Sequence, residues 1–183
     1  MSVIKQDILC GSQYLRSLTV EQVSAKDAAR HFTKRLSEPG TADMVSVGIA
    51  YHVSSTGEAD FMCLAQSNAA NVLFISLRKS KFDSIAGFLC ADGALASKVR
   101  LVGFGMAQIA IQVSHATNLR VKGVDLLTLF GNPREPCSPS DLIDKRVDSK
   151  VNTSAVQRLW MGNRASAKKD VALRAWLAAW YVP

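Results

Sequence analysis

The sequence predicts an α/β fold: a mixed central sheet, a three-strand meander followed by parallel strands, with helices on both faces. The stretch "VSVGIAYHV" (Val45–Val53) is a near-continuous apolar run, as expected of a central strand covered on both sides. Two further apolar runs, "DFMCLAQS" and "NVLFISL", follow across short breaks, which makes a meander. After them strand-like and helix-like stretches alternate, and that alternation builds parallel crossovers onto one sheet.

Taken in order, residues 1–17 show no clear period and are expected to form an N-terminal arm or tail ahead of one domain over residues 18–183. "TVEQVSAKDAARHFTKRLS" reads as an amphipathic helix, with Val20, Val23, Ala28, Phe32 and Leu36 near one face and Glu21 in its first turn. "EPGTAD" breaks it, and "SSTGEA" is turn chemistry between the first two meander strands. "SKFDSIAGFL" opens on Ser80 as a cap with Asp83 three residues on, and Phe82, Ile85, Ala86 and Leu89 recur at helical spacing. "VRLVGFG" then reads as a buried strand, "MAQIAIQVSHAT" as a helix and "VKGVDLLTLF" as a strand or strand-to-helix element. "SPSDLIDKR" starts a helix with Ser138 as cap and Pro139 at the first helical position. "AVQRLW" is a short helical piece, and "KKDVALRAWLAAWYV" is a strongly helical closing stretch.

A chain of 183 residues can bury one full core and is short for two. Its longest apolar runs fall short of a bilayer, so no membrane partner is expected, and its start lacks the pattern of a secretory signal. Cys10, Cys63, Cys90 and Cys137 are scattered without a C-x-x-C pair. That speaks against a zinc site and for free thiols in a reducing, intracellular compartment, cytoplasm or nucleus, with an organelle left open. Cys63 and Cys90 sit in apolar surroundings and read as core. The "NTS" at Asn152 reads as a chance match to a glycosylation acceptor.

The net charge of +7 suits nucleic acid or an acidic protein without choosing between them. Basic residues are densest in the last third, from Arg134 to Arg174. Lys145, Arg146, Lys150, Arg158, Arg164, Lys168 and Lys169 are the candidates for nucleic-acid contact, weighed evenly against a merely solvated face. Trp160, Trp176 and Trp180 could stack on bases, but at helical spacing they read better as packing residues or anchors for a protein partner. "GFGMAQ" lacks the third glycine of a dinucleotide turn, and no serine sits in a nucleophile elbow.

Four stretches in order carry a family resemblance: "VGIAYH" with "CLAQ" after it, "KVRLVGFGMAQI", "KGVDLLTLF" and "AWLAAWYVP". They resemble the ribonuclease D and Werner-type (DEDD) 3′–5′ exonuclease domain of the ribonuclease H-like group, over nearly the whole chain from Leu18. The resemblance implies a two-metal phosphodiesterase in which carboxylates hold magnesium or manganese. Its four acids would fall at Ala50, His52, Ile109 and Ala179, and a water-orienting tyrosine at Ala175. No Asp or Glu occurs from Val45 to Gly57, from Gly93 to Val124, or from Val171 onward, so a small shift of register supplies none. Glu58, Asp60, Asp92, Asp125 and Asp141 are expected at turns and element ends. A lone histidine such as His52 is more often hydrogen-bonded than a metal ligand.

The resulting expectation is a vestigial site at Ala50, His52, Ile109, Ala175 and Ala179, with no catalytic residue, metal or cofactor, and a chain that is not an enzyme. Its expected work is as a protein-interaction scaffold in an RNA-processing or ribonucleoprotein complex. A module that holds single-stranded RNA or DNA without cutting is the alternative, and a nuclease with unorthodox ligands ranks third.

Overall fold

The computed structural model describes residues 1–5, 7–8, 17–36, 44–66, 70–78, 81–90, 93, 97–131, 137–146, 151–161 and 167–182. Its strands and helices follow the order β1 (Ser2–Lys5), β2 (Ser17–Val23), α1 (Ala25–Leu36), β3 (Val45–Val53), β4 (Ala59–Gln66) and β5 (Asn71–Ser76). Then come α2 (Asp83–Leu89), β6 (Val99–Gly103), α3 (Met106–Thr117), β7 (Val124–Asp125), α4 (Leu126–Phe130), α5 (Pro139–Arg146), α6 (Thr153–Met161) and α7 (Lys168–Tyr181).

Among the described residues one seven-stranded sheet forms, in the order β1-β2-β5-β4-β3-β6-β7. β3, β4 and β5 are the antiparallel meander, with Ile49 opposite Leu64 and Leu64 opposite Leu73. β6 joins β3 in parallel, and β7 joins β6 in parallel. Side chains alternate along β3, so Val45, Val47 and Ile49 share one core with α1, α2 and α3, while Ala50 shares the other with α5, α6 and α7. The expected layers are therefore present, with β3 covered on both faces.

The start of the chain departs from the expectation. Val20 and Val23 lie in β2, parallel to β5, and not on a helix. The β-branched residues of "SLTVEQV" favour the strand. The helix begins only after Ser24, whose hydroxyl accepts from the Asp27 amide at 3.1 Å and donates to the Asp27 carboxylate at 2.6 Å. Asp27, not Glu21, thus occupies the first turn of α1. Residues 2–5 pair with β2 as an antiparallel edge strand, and Ile8 is buried and accepts a backbone bond from Asn152. Ser80 and Asp92 lie outside the described residues, and Phe82 stands at the N-cap of α2.

Other expected signals appear as geometry. Ser138 caps α5: its hydroxyl accepts from the Asp141 amide at 3.2 Å, and the Asp141 carboxylate accepts from the Ser138 amide at 2.9 Å. "KGVDLLTLF" is a two-residue strand running directly into α4. Cys63 is buried in the core, but Cys90 is half-buried, because it ends α2 and bridges to Val121. Among the described residues no helix is long and apolar enough to cross a membrane.

Candidate functional site

A cleft of ≈ 350 Å³ opens where the C-terminal parts of β3 and β6 meet the start of α3 and the facing sides of α6 and α7. Parallel strands with crossover helices leave such a crevice beyond their carboxyl ends. β3 contributes Ile49, Ala50, Tyr51 and Val53; the β6–α3 turn contributes Phe104 and Gly105; α3 contributes Gln108 and Ile109; α6 gives Trp160 and α7 gives Arg174.

The turn at the cleft floor is fixed by one acid. Gly105 sits at φ 74°, in the left-handed region open to glycine, and reverses the chain into α3. The amides it exposes are taken by Asp125, whose carboxylate accepts from Gly105 at 3.2 Å and Met106 at 2.8 Å. The same carboxylate accepts from Leu127 at 3.0 Å and so caps α4 as well. Asp125 therefore ties two helix starts to β7.

Arg174 supplies the positive charge of the cleft. Its Nε donates to the Leu159 carbonyl at 2.7 Å, and its Nη2 donates to the same oxygen. The guanidinium carbon lies 5.9 Å from the Trp160 ring centroid, within range of a cation–π contact. Burial lowers the pKa of Arg174, against the raising effects of Asp170 and Tyr51. Burial also raises the pKa of the Tyr51 phenol, and the Arg174 charge pulls it back. Trp160 meets Phe104 edge-on at 5.3 Å, and Phe104 in turn meets Tyr181 at 6.2 Å.

The five positions expected to mark a vestigial site distribute around β3. Ala50 and Ile109 line the cleft. Ala175 and Ala179 are fully buried beneath it, where the α7 backbone rests on Gly48: a Cβ there would overlap the Ala175 carbonyl oxygen and crowd the Ala179 nitrogen. His52 is not part of the cleft wall. Its Nδ1 lies 2.5 Å from the Asp60 carboxylate, and its ring meets Phe61 edge-on at 6.2 Å. Asp60 is the second residue of β4, at an element end as expected, and it faces a partner within the sheet.

Of the basic candidates, Lys145, Arg158, Lys168 and Lys169 are exposed. Arg158 pairs with Asp7 at 3.6 Å, and the Lys168 ammonium lies 3.9 Å above the Phe61 ring. Lys150 and Arg164 lie outside the described residues, as does the Arg146 side chain. Trp176 is 2% exposed and presents no surface to a partner, because the α7 face that carries it packs onto the sheet. Trp160 and Trp180 are half-buried. Tyr51, Phe104 and Gln108 are cleft residues that the sequence does not single out, and Arg174 stands in it only as the end of the basic stretch of the last third. The one usable signal was Arg174 itself, a lone cation in the otherwise apolar "VALRAWLAAWYV".

Among the described residues no three His, Cys, Asp or Glu side chains form a group able to hold a metal ion.

No protein-family model matches the chain, and no curated protein sequence matches it. Solved structures do. RNase D of Trypanosoma brucei, in complex with GMP, is 12% identical, with a TM-score of 0.58 over 85% of this chain and 53% of its own. The EXO domain of Nibbler from Aedes aegypti is 15% identical, with a TM-score of 0.52 over 93% of this chain and 89% of its own. The catalytic core of RRP6 from Trypanosoma brucei is 15% identical, with a TM-score of 0.53 over 97% of this chain and 48% of its own. The chain thus spans about half the length of the RNase D and RRP6 chains and most of the EXO domain. These likenesses correct the expectation that the chain is not an enzyme: the solved structures that share its architecture are an RNase, an EXO domain and a catalytic core. The chain has the exonuclease-like ribonuclease H fold.

Proposed function

We propose that this chain is a 3′–5′ exonuclease-like domain that receives single-stranded RNA in the cleft between β3, α3, α6 and α7. One observation carries the reading: the cleft joins aromatic rings, Trp160, Phe104 and Tyr51, to the guanidinium of Arg174. Rings on which bases stack, beside a fixed positive charge, are the working parts of single-strand binding. RNase D, whose complex with GMP has the same fold, lends the reading support by analogy.

The donor set does not fit the divalent ions that the resemblance implies. Among the described residues the cleft lining carries no carboxylate and no imidazole, and Arg174 already places a cation there. Magnesium and manganese require oxygen ligands, mostly charged ones. Ala50, Ile109, Ala175 and Ala179 supply none, and the His52 ring is engaged with Asp60. Binding therefore falls to the rings and to Arg174.

A protein partner within an RNA-handling complex is the second reading. It is favoured by the apolar side chains left exposed outside the cleft, Ile111 on α3 (62%) and Leu129 on α4 (57%).

The test is a fluorescence-anisotropy titration with labelled single-stranded RNA at low and physiological salt, with the same samples run on a gel for shortened product. Binding is expected to survive physiological salt, and Trp160→Ala is expected to weaken it about tenfold, the scale of one lost base stack. Binding that disappears with salt, or that ignores Trp160, would turn the search to protein partners. Shortened RNA would show that the site also cuts.

A further inference from the structure

We infer that the outer edge of β1 is an interface between two copies of this chain, in which β1 pairs antiparallel with β1 of the second copy about a two-fold axis at Val3. The two sheets then become one. The inference is independent of the nucleic-acid reading above.

The edge is open. β1 stands first in the sheet order, so among the described residues no strand lies on its outer side. An outer strand presents backbone donors and acceptors without strand partners, and another extended segment completes them. The opposite edge offers less, because β7 is two residues long and runs directly into α4. Side chains at the β1 edge also lack cover. Leu18 and its neighbour Ile4 pack in the core shared with α5, α6 and α7, so Val3 and Thr19 take the other face. Glu21 and Val23 share that face with Thr19, and Val23 packs against the core of α1. Thr19 is half-buried there, but Val3 is 68% exposed. A β-branched apolar residue left bare on an edge strand is what a further strand covers.

The occupant that fits is a second copy, because the edge is complementary to itself. A two-fold axis between neighbouring antiparallel strands keeps each face of the sheet on its own side and sets one residue opposite itself. Centred on Val3, it sets Val3 against Val3, Ser2 against Ile4 and Met1 against Lys5 of the second copy. Centred on Ile4, it would set the bare valine against Lys5. Directly opposed side chains stand about 5 Å apart, so the two valines cover each other. On the opposite face the half-buried Ile4 gains Ser2 of the second copy beside it.

Charge agrees with this register. The β1–β2 pairing, carried one residue past Ser2 and Val20, places Met1 beside Glu21. Lys5 of the second copy then approaches Glu21 across Met1, with backbones about 10 Å apart, two strand spacings. Two long side chains span that gap. Lys5 and Glu21 are both exposed, and neither has an ion-pair partner among the described residues. The symmetry forms the pair twice.

The experiment is sedimentation velocity on the whole chain across concentrations, joined to oxidative cross-linking of cysteine variants. One strand pair is a small interface, so dimer is expected to grow in through the micromolar range and to predominate by about 100 µM. Val3→Glu sets two like charges at the axis and should raise the dissociation constant about tenfold. Its side chain is exposed, so the melting temperature should stay near that of the parent. Lys5→Glu should weaken association about fivefold, and Lys5→Glu combined with Glu21→Lys should restore it to within about twofold. Val3→Cys should yield a disulfide-linked dimer, since residues opposed across the axis lie within disulfide reach. Lys5→Cys should yield none beyond the unsubstituted chain. The inference is overturned if the chain stays monomeric at about 100 µM, which would leave the edge to a strand from another protein. It is also overturned if Val3→Glu leaves the dimer intact, if the charge swap fails to rescue Lys5→Glu, or if Lys5→Cys cross-links as readily as Val3→Cys.

Discussion

Two acids at the residue scale do structural work that the sequence disguised in one case and announced in the other. Asp125 looked like the end of a strand, yet its carboxylate serves three backbone amides from two helices. Asp125→Ala should lower unfolding free energy by about 1–3 kcal/mol, read by urea denaturation, because those partly buried amides lose their acceptor. Ser138, by contrast, reads as a cap from its place before Pro139, and the structure gives it Asp141 as partner. Hydrogen bonds from Ser138 hold the Asp141 pKa below its usual value. A carboxylate with a lowered folded pKa stabilises at pH above its unfolded value, and that contribution disappears as pH falls through the folded one. Ser138→Ala should therefore cost about 1 kcal/mol near neutral pH. It should also return the Asp141 titration, followed by NMR, toward the ordinary carboxylate range.

At the scale of elements, the legible parts were those with strong periodicity. The meander, α3 and α5 could be read because each has an unbroken apolar pattern or a cap whose partner lies three residues away. The β2–α1 junction could not, because Val20 and Val23 fit both a helical face and a strand; the pairing with β5 that decides between them is distant in sequence. The cleft was half legible for the same reason. Ala50 and Ile109 followed from motif order, while Arg174, Trp160 and Tyr51 come together only when α6 and α7 fold back over β3. Gly48 is where that closure is tightest. Gly48→Ala should destabilise the fold by about 1–3 kcal/mol or more, measured by thermal melting, since the added methyl meets backbone of α7 and not a side chain that could turn aside.

For the whole molecule, the net charge of +7 sets how the proposed RNA binding should respond to its medium. If three of the exposed cations contact phosphates, the logarithm of affinity should fall with the logarithm of salt at a slope of about −2, measurable by repeating the anisotropy titration across salt concentrations. A flat response would place the affinity in stacking alone. The position of α7 governs something different, the order in which the chain can become itself. This helix follows every strand in sequence, yet nine of its residues are buried, and it covers the central strands β3, β4 and β6. As the chain is synthesised, the side of the sheet that α7 shares with α5 and α6 stays partly bare until α7 appears, and the contacts of α7 with β3 span most of the sequence. Such late, long-range closure makes for slow folding and a period in which sticky apolar surface is bare. The wall that carries Arg174 is thus put in place only after every strand of the sheet, and the cleft takes its shape no earlier than the core beneath it is hidden.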